Sequence, residues 1–205
     1  MTEETLKALW QGRTPGLLGR KQSYAVLCPF VERPDGLHLL FEVRAASLRR
    51  QGSEVCFPGG RMEPGESAED CALRETAEEL CIPSAHIQLL GRSDYLCQPG
   101  KFSLQPVPAL VDGDGFANLR PSPAEVDAVF TVPVEFFLRN APEVYVYTLE
   151  PKIPADFPYG AVGASPDYRW DAGEAEVPIW RWEDRAIWGM TGRIVKNLME
   201  TIGML

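Results

Sequence analysis

The chain has 205 residues, with 20 Lys and Arg against 29 Asp and Glu and a formal net charge of −9. Its 45% hydrophobic and 24% charged residues are typical of a globular protein and exclude intrinsic disorder and collagen-like repetition. The acidic balance argues against nucleic acid as a partner, because binding to a phosphate backbone needs a basic surface. The length fits a single domain over 1–205, in which 1–22 form an N-terminal helix and connector and 23–205 form the core, including a C-terminal helix.

No apolar run approaches the roughly 20 residues that a membrane-spanning helix needs, and the N-terminus is acidic where a signal peptide is basic. We therefore expect a cytoplasmic protein with no membrane partner. The five cysteines form no CxxC pair, which argues against a disulfide framework or a zinc site, and we expect small buried thiols. The sequence leaves the oligomeric state open, and a homodimer is one arrangement that it allows.

The predicted elements begin with a short helix and a β-hairpin. Apolar residues at helical spacing predict the N-terminal helix, namely Leu6, Leu9 and Trp10. Two β-prone runs over 23–31 and 37–43 flank Pro34-Asp35-Gly36, where the fixed φ of proline and the freedom of glycine favour a turn. These runs predict an antiparallel hairpin.

A Gly-rich corner at 57–60 and a helix over about 68–80 follow the hairpin. Further strands are predicted near 87–96, 105–111, 126–132 and 143–149. Residues 151–178 are rich in Pro, Gly, Asp and aromatics and predict a long irregular loop with one short strand. An amphipathic helix is predicted over 188–202. The order of these elements predicts a mixed sheet with helices packed on it, in the α/β or α+β class.

The clearest chemical signal lies on the predicted helix over 68–80. At about 100° per residue, three glutamates share one arc of this helix, while apolar residues share another; the three are Glu75, Glu78 and Glu79. Like charges at this spacing repel by roughly 0.2–0.5 kcal/mol per pair unless water screens them or a cation binds. Mg²⁺ prefers carboxylate oxygens, water and substrate phosphates, so the arc predicts a metal site. A solvated surface helix is the alternative interpretation.

The spacing of these residues follows a longer pattern: Gly60, five residues, Glu66, seven residues, Arg74-Glu75, two residues, Glu78-Glu79, and then Ile82. The pattern resembles the Nudix box, GX5EX7REUXEEXGU, at six strongly specified positions. Thr76 stands where the box has an aliphatic residue, and Cys81 stands where it has glycine.

This resemblance to Nudix hydrolases implies an α/β/α sandwich with a mixed sheet, and hydrolysis of a nucleoside diphosphate linked to another moiety with Mg²⁺ or Mn²⁺. By position, the implied metal ligands are Glu75, Glu79, Glu78 (a ligand or a water-positioning group) and the Gly60 carbonyl. Arg74 would orient the glutamates, and Glu66 would support the loop–helix junction or bind metal through water. The identity of the catalytic base stays open, because clustered carboxylates titrate together. Glu125, outside the box, is one candidate. Alternatively, Glu125 is only an exposed carboxylate in a loop.

A second resemblance concerns the substrate. Arg44-Ala45, three residues, Arg49, and then 57–60 resemble the signature LLTXR[SA]X3RX3GX3FPGG of the coenzyme A pyrophosphatase subfamily, and 187–192 resembles its IWG segment. The signature is altered at three positions, Phe41, Glu42 and Ser53. The resemblance implies cleavage of coenzyme A or acyl-CoA to adenosine 3′,5′-bisphosphate and 4′-phosphopantetheine.

Arginines near the box carry positive charge suited to phosphate binding, and Arg44, Arg49 and Arg61 are the candidate substrate contacts. Two other functions stay open. One is a Nudix hydrolase for another nucleotide, such as ADP-ribose, a dinucleotide or a modified nucleoside triphosphate. The other is a non-catalytic module that binds a nucleotide, against which the three intact glutamates weigh.

Overall fold

A computed structural model of the chain describes residues 1–13, 16–19, 22–48, 51–98 and 100–203. The helices are α1 (Glu3–Trp10), α2 (Ala68–Leu80), α3 (Gly113–Ala117), α4 (Val134–Arg139) and α5 (Gly189–Ile202). The strands are β1 (Gln22–Arg33), β2 (Gly36–Arg44), β3 (Val55–Cys56), β4 (Gly59–Arg61), β5 (Ile87–Leu89), β6 (Leu96–Gln98), β7 (Phe102–Val111), β8 (Val126–Pro133), β9 (Glu143–Leu149), β10 (Gly173–Trp182) and β11 (Arg185–Ile187).

The centre of the fold is an eight-stranded sheet with the order β3-β2-β1-β7-β5, in which β4 pairs with β1, β6 with β7 and β8 with β2. β1 and β7 are parallel along their whole shared length, and the other pairs are antiparallel. The predicted hairpin is confirmed, because β1 pairs with β2 across the turn at Pro34 and Asp35. The predicted mixed sheet is confirmed as well.

Helices cover both faces of this sheet. Side chains alternate along a strand, so Ala25 and Leu27 of β1 pack against Cys71 and Ala72 of α2. The intervening residues of β1 and β2 face the other way and pack against α4 and α5, in a larger cluster that includes Cys28, Phe30, Leu39, Phe41, Phe137, Ile194 and Leu198. The predicted α/β/α sandwich is therefore confirmed.

A second, three-stranded sheet has the order β11-β10-β9. It confirms the strand predicted within 151–178 and corrects its length, because β10 begins at Gly173 and is ten residues long. Trp180 anchors this sheet: its indole N–H donates to the Asn140 carbonyl at 2.8 Å. Every residue of β9 is exposed.

The strand predicted near 87–96 is wrong as one element. β5 and β6 pair with the two ends of β7, and residues 90–95 lie between them. The cause is Pro106 and Pro108 of β7, which offer carbonyls to Ser93 and Leu90 but have no N–H to complete the ladder.

The structure also tests the expected N-terminal helix and the expected burial of the cysteines. Cys28 and Cys71 are buried, but Cys81 and Cys97 are exposed, so the expectation of buried thiols is wrong for those two. α1 forms as predicted and has no buried residue. Among the described residues, no helix combines the length and the apolar character that crossing a bilayer requires.

Candidate active site

Helix α2 carries the box glutamates, and its ends are locally determined. Ser67 caps the N-terminus, where its hydroxyl accepts from the Asp70 N–H at 3.0 Å. Cys81 caps the C-terminus in the left-handed conformation that the glycine of the box would adopt, with φ of 55°. Thr76 is buried, and its hydroxyl donates to the Ala72 carbonyl at 2.7 Å. Both departures from the box are therefore accommodated within the helix.

Arg74 joins three glutamates of the box. Its guanidinium donates to Glu66 at 2.9 and 3.1 Å, to Glu75 at 2.8 Å and to Glu78 at 3.4 Å. Glu66 also accepts from the Glu63 N–H at 2.8 Å. The Arg74 hydrogen bonds, with that N–H, lower the pKa of Glu66 to about 2. The ionised Glu66 therefore holds the Arg74 side chain in place, and Arg74 in turn holds the Glu75 carboxylate.

The glycines of the FPGG corner bring the backbone against α2. The Gly59 N–H donates to the Glu79 carboxylate at 2.8 Å. A Cβ at Gly59 would lie 2.3 Å from the Ala25 carbonyl oxygen, and a Cβ at Gly60 would lie 2.4 Å from the Glu75 carboxylate. Gly59 therefore lets β4 lie close against β1, and Gly60 leaves room for the Glu75 carboxylate.

Strand β2 adds a carboxylate, Glu42, whose only signal in the sequence motifs is its departure from the signature. Glu42 is 0% exposed and shares the α2 side of the sheet with Leu40, which packs against Leu80. Its Oε1 accepts from the Cys56 thiol at 3.2 Å, and its Oε2 has no partner. The signal that identifies Glu42 is strand alternation, which places an acidic side chain on a buried face two residues before Arg44.

Glu125 lies at the same edge of the sheet, in the loop before β8. Its carbonyl accepts from the Ala45 N–H at 2.8 Å, and the Ser122 N–H of the same loop donates to the Glu79 carbonyl at 2.7 Å. The Glu125 side chain is exposed. Burial is the main cause that raises the pKa of Glu42, Glu75 and Glu79, and the negative charge of Glu125 adds to it, so Glu125 belongs to their electrostatic environment.

These carboxylates resist ionisation. Burial and the neighbouring Glu42 charge raise the pKa of Glu79 to about 9, against the Gly59 N–H, which lowers it. Burial raises the pKa of Glu42 to about 7 and also raises that of Glu75, whose partner Arg74 acts in the opposite direction. A bound cation favours the ionised form of each group, because it offsets both the lost hydration and the mutual repulsion.

The candidate arginines differ in their placement. Arg44 follows Glu42 on the same face of β2, and its Nε is buried without a partner. Arg61 is exposed at the end of β4, where its carbonyl accepts from Arg74 at 3.3 Å. Arg49 lies outside the described residues. The structure therefore brings Arg44 to the carboxylates and leaves the Arg61 side chain at the rim.

The donor atoms of the site determine how well it fits a divalent cation. Among the described residues, no group of three or more His, Cys, Asp or Glu side chains is placed to hold a metal ion. The donors at the site are nevertheless carboxylate and carbonyl oxygens, which Mg²⁺ and Mn²⁺ prefer. The unpartnered Glu42 Oε2 and the pocket for the Glu75 carboxylate that Gly60 leaves open are two further features that fit a cation.

Comparison with known proteins gives three relatives of different length. The peroxisomal coenzyme A diphosphatase NUDT7 of Mus musculus is 33% identical over 123 residues, 60% of this chain and 50% of that protein. The mitochondrial coenzyme A diphosphatase NUDT8 of Homo sapiens is 35% identical over 145 residues, 69% of this chain and 61% of that protein. An uncharacterised Nudix hydrolase NudL of Yersinia enterocolitica is 28% identical over 181 residues, 88% of this chain and 81% of that protein.

The chain thus spans about half the length of the mouse relative. Among solved structures, a MutT/nudix family protein from Enterococcus faecalis shares the fold, with a TM-score of 0.50 and 16% identity over 98% of this chain and 69% of that chain. The NUDIX domain family matches residues 21–148, which is more than half of the sequence. The chain therefore belongs to the Nudix family.

Proposed function

We propose that the chain is a divalent-metal-dependent diphosphatase that hydrolyses coenzyme A or acyl-CoA to adenosine 3′,5′-bisphosphate and (acyl-)4′-phosphopantetheine. One observation supports the metal–diphosphate chemistry: Glu42 Oε2 and Arg44 Nε, two buried atoms without partners, lie two residues apart on one strand beside the box. The cation of a metal-bound phosphoryl group would pair with Glu42 Oε2, and a negative phosphoryl oxygen would pair with Arg44 Nε–H. The choice of coenzyme A follows from the signature around Arg44 and from the similarity to the two coenzyme A diphosphatases.

The box residues take the following roles in this proposal. Members of the Nudix family generally use divalent metal ions, and Glu75, Glu78, Glu79 and the Gly60 carbonyl would hold Mg²⁺ or Mn²⁺. When bound, such an ion neutralises charge on the phosphoryl oxygens and lowers the pKa of a bound water. Arg74 positions Glu75 and Glu78 through its hydrogen bonds, while Glu66 holds Arg74 in place.

The remaining site residues act on water and substrate. Glu125 is exposed to solvent beside the buried carboxylates and is the candidate base that accepts a proton from the attacking water. Arg44 donates its buried Nε–H to the diphosphate, and Arg61 at the rim contacts a second phosphate. Arg49 stays a candidate substrate contact from the sequence, and the cytoplasmic location stays a prediction.

A second candidate function is hydrolysis of another nucleoside diphosphate derivative. Glu42 favours it, because a buried carboxylate stands in the site where the coenzyme A signature has threonine. ADP-ribose, a dinucleotide and a modified nucleoside triphosphate present the same diphosphate to the box. A nucleotide-binding module without catalysis is the third possibility.

Product analysis by mass spectrometry tests the proposal. The purified protein is incubated with coenzyme A and Mg²⁺ or Mn²⁺, with Glu79→Gln as the inactive variant and Glu174→Gln, at an exposed residue of β10, as the matched control. We expect 4′-phosphopantetheine from the wild type and from Glu174→Gln, and a loss of about 100-fold or more for Glu79→Gln. Circular dichroism checks that all three proteins are folded.

Other outcomes separate the three functions. Intact coenzyme A with both metals, together with turnover of ADP-ribose or a nucleoside triphosphate, would establish the second candidate. Failure to cleave any of these substrates would leave a binding module. Full activity of Glu79→Gln would remove the metal-site assignment itself.

A further inference from the structure

Glu42 is a buried carboxylate whose surroundings do not complete its hydrogen bonding. The side chain is 0% exposed on strand β2, where Glu42 pairs with Cys56 of β3 on one side and with Val129 of β8 on the other. The Cys56 thiol, directly across the β2–β3 ladder, donates to Oε1 at 3.2 Å and fixes that oxygen. Oε2 receives no hydrogen bond from any described residue.

A buried carboxylate oxygen without a partner is costly, so its native state needs a compensating group. The surroundings make the cost larger, because Glu79, Glu75 and Glu125 are acidic and close enough to act on Glu42 or to be acted on by it. The cation of Arg44 acts on Glu42, yet neither Glu42 Oε2 nor Arg44 Nε has a hydrogen-bond partner, so the two do not satisfy each other.

The missing group must therefore be positive, small enough for a buried space, and suited to carboxylate oxygen. A divalent cation such as Mg²⁺ or Mn²⁺ has these properties. We propose that Glu42 is itself a metal ligand, which presents Oε2 to a divalent cation from strand β2, outside the box.

This arrangement gives the cation ligands on two elements. Glu79 reaches it from α2 and Glu42 from β2, so that the ion links the helix to the strand beneath it. Cys56 has a positioning role, because the hydrogen bond from its thiol occupies Oε1 of Glu42 and leaves Oε2 for the metal. The inference rests on the proposed function, since it adds a ligand to the same metal-dependent site.

Titration calorimetry with MnCl₂ tests the proposal without substrate turnover. The wild type, Glu42→Gln and the exposed control Glu174→Gln are compared, because the two variants lose the same formal charge at different places. We expect Glu174→Gln to match the wild type and Glu42→Gln to bind Mn²⁺ about 10-fold more weakly or worse. The electron paramagnetic resonance signal of free Mn²⁺ gives the same comparison independently.

Thermal unfolding separates a ligand from a structural group. Without metal, Glu42→Gln should melt at or above the wild-type temperature, because the unpaired carboxylate is gone, and Mn²⁺ should raise its melting temperature less than that of the wild type. A variant that melts lower without metal but gains as much from Mn²⁺ as the wild type would overturn the proposal. If Glu42→Gln does not fold, Glu42→Thr, with the residue of the coenzyme A signature, replaces it in both experiments.

The failures are distinguishable. Equal Mn²⁺ affinity in the wild type and in the Glu42 variant would overturn the role of Glu42 and leave the proposed function intact. Absence of Mn²⁺ and Mg²⁺ binding by the wild type would overturn both.

Discussion

Cys81 holds a backbone conformation that favours glycine, with φ of 55° and ψ of 32° at the C-cap of α2. For an L-residue with a Cβ this region costs about 1 kcal/mol or more. Cys81→Gly should therefore raise the free energy of unfolding by about 0.5–1 kcal/mol, measured by urea denaturation. The control Ala77→Gly, exposed within the same helix, should lower it by about 1 kcal/mol. A loss of stability in Cys81→Gly would show that the backbone of Cys81 is not strained at this position.

The lowered pKa of Glu66 predicts that the stability of the protein depends on pH. This pKa is about 2 in the folded protein and near the ordinary 4.5 in the unfolded chain. The folded state thus prefers the ionised form, and this contribution is fully present above pH 4.5 and is lost as the pH falls towards 2. Glu66→Gln removes it. In thermal melts, the wild type should exceed the variant by a constant margin at neutral pH, and the margin should shrink below pH 4.5.

A margin that stays the same at every pH would show that Glu66 acts through packing alone. Asp70→Asn is a useful control, because it changes an exposed acid in the first turn of the same helix without touching Arg74.

At the scale of elements, alanine substitutions at the two glycines of the FPGG corner are expected to have opposite effects, one on activity and the other on stability. A Cβ at Gly60 meets the flexible end of Glu75, so Gly60→Ala should displace that carboxylate and reduce kcat/KM by about 100-fold with little loss of stability. A Cβ at Gly59 meets the backbone of Ala25 and Val26, and its φ of 151° favours glycine, so Gly59→Ala should lower the melting temperature strongly.

Activity assays and melts of both variants check this pair. The expectation is wrong if Gly60→Ala keeps wild-type activity, or if Gly59→Ala melts at the wild-type temperature.

The elements that could be predicted are those whose signals are local. The extent of α2, its cap at Ser67 and the shared arc of its glutamates follow from spacing within one helix. The split between β5 and β6 does not, because its cause is the missing N–H groups of Pro106 and Pro108 on a strand that comes later in the chain. The short helices α3 and α4 carry too few residues for a clear period.

The same distinction applies to the candidate site. The contacts of Arg74 with Glu66, Glu75 and Glu78 lie within the box and follow its spacing. The position of Glu42 needs the register of β2 against β3 and the side of the sheet that α2 covers, and neither is written in a short window of sequence.

At the scale of the whole molecule, α1 is expected to lie outside the stable folded unit, and a truncation can test this. None of its residues is buried, so removal of 1–13 should change the melting temperature by no more than about 2 °C and leave kcat/KM unchanged. Removal of 195–203 is the contrasting truncation, because Val195 and Leu198 belong to the core cluster beneath the sheet. A large loss of stability in the first truncation would show that the N-terminal segment belongs to the folded unit.

The parallel pair of β1 and β7 also determines how the chain reaches this structure. Gln22 pairs with Phe102, so the central ladder closes a loop of about 80 residues that contains the whole of α2 and the FPGG corner. Closing such a loop is slow, because its entropy is lost before the contacts that compensate for it form. Both outer edges of the β1–β2 hairpin therefore take partners from later in the chain, β7 beside β1 and β8 beside β2, and the site between them depends on strands made after the box.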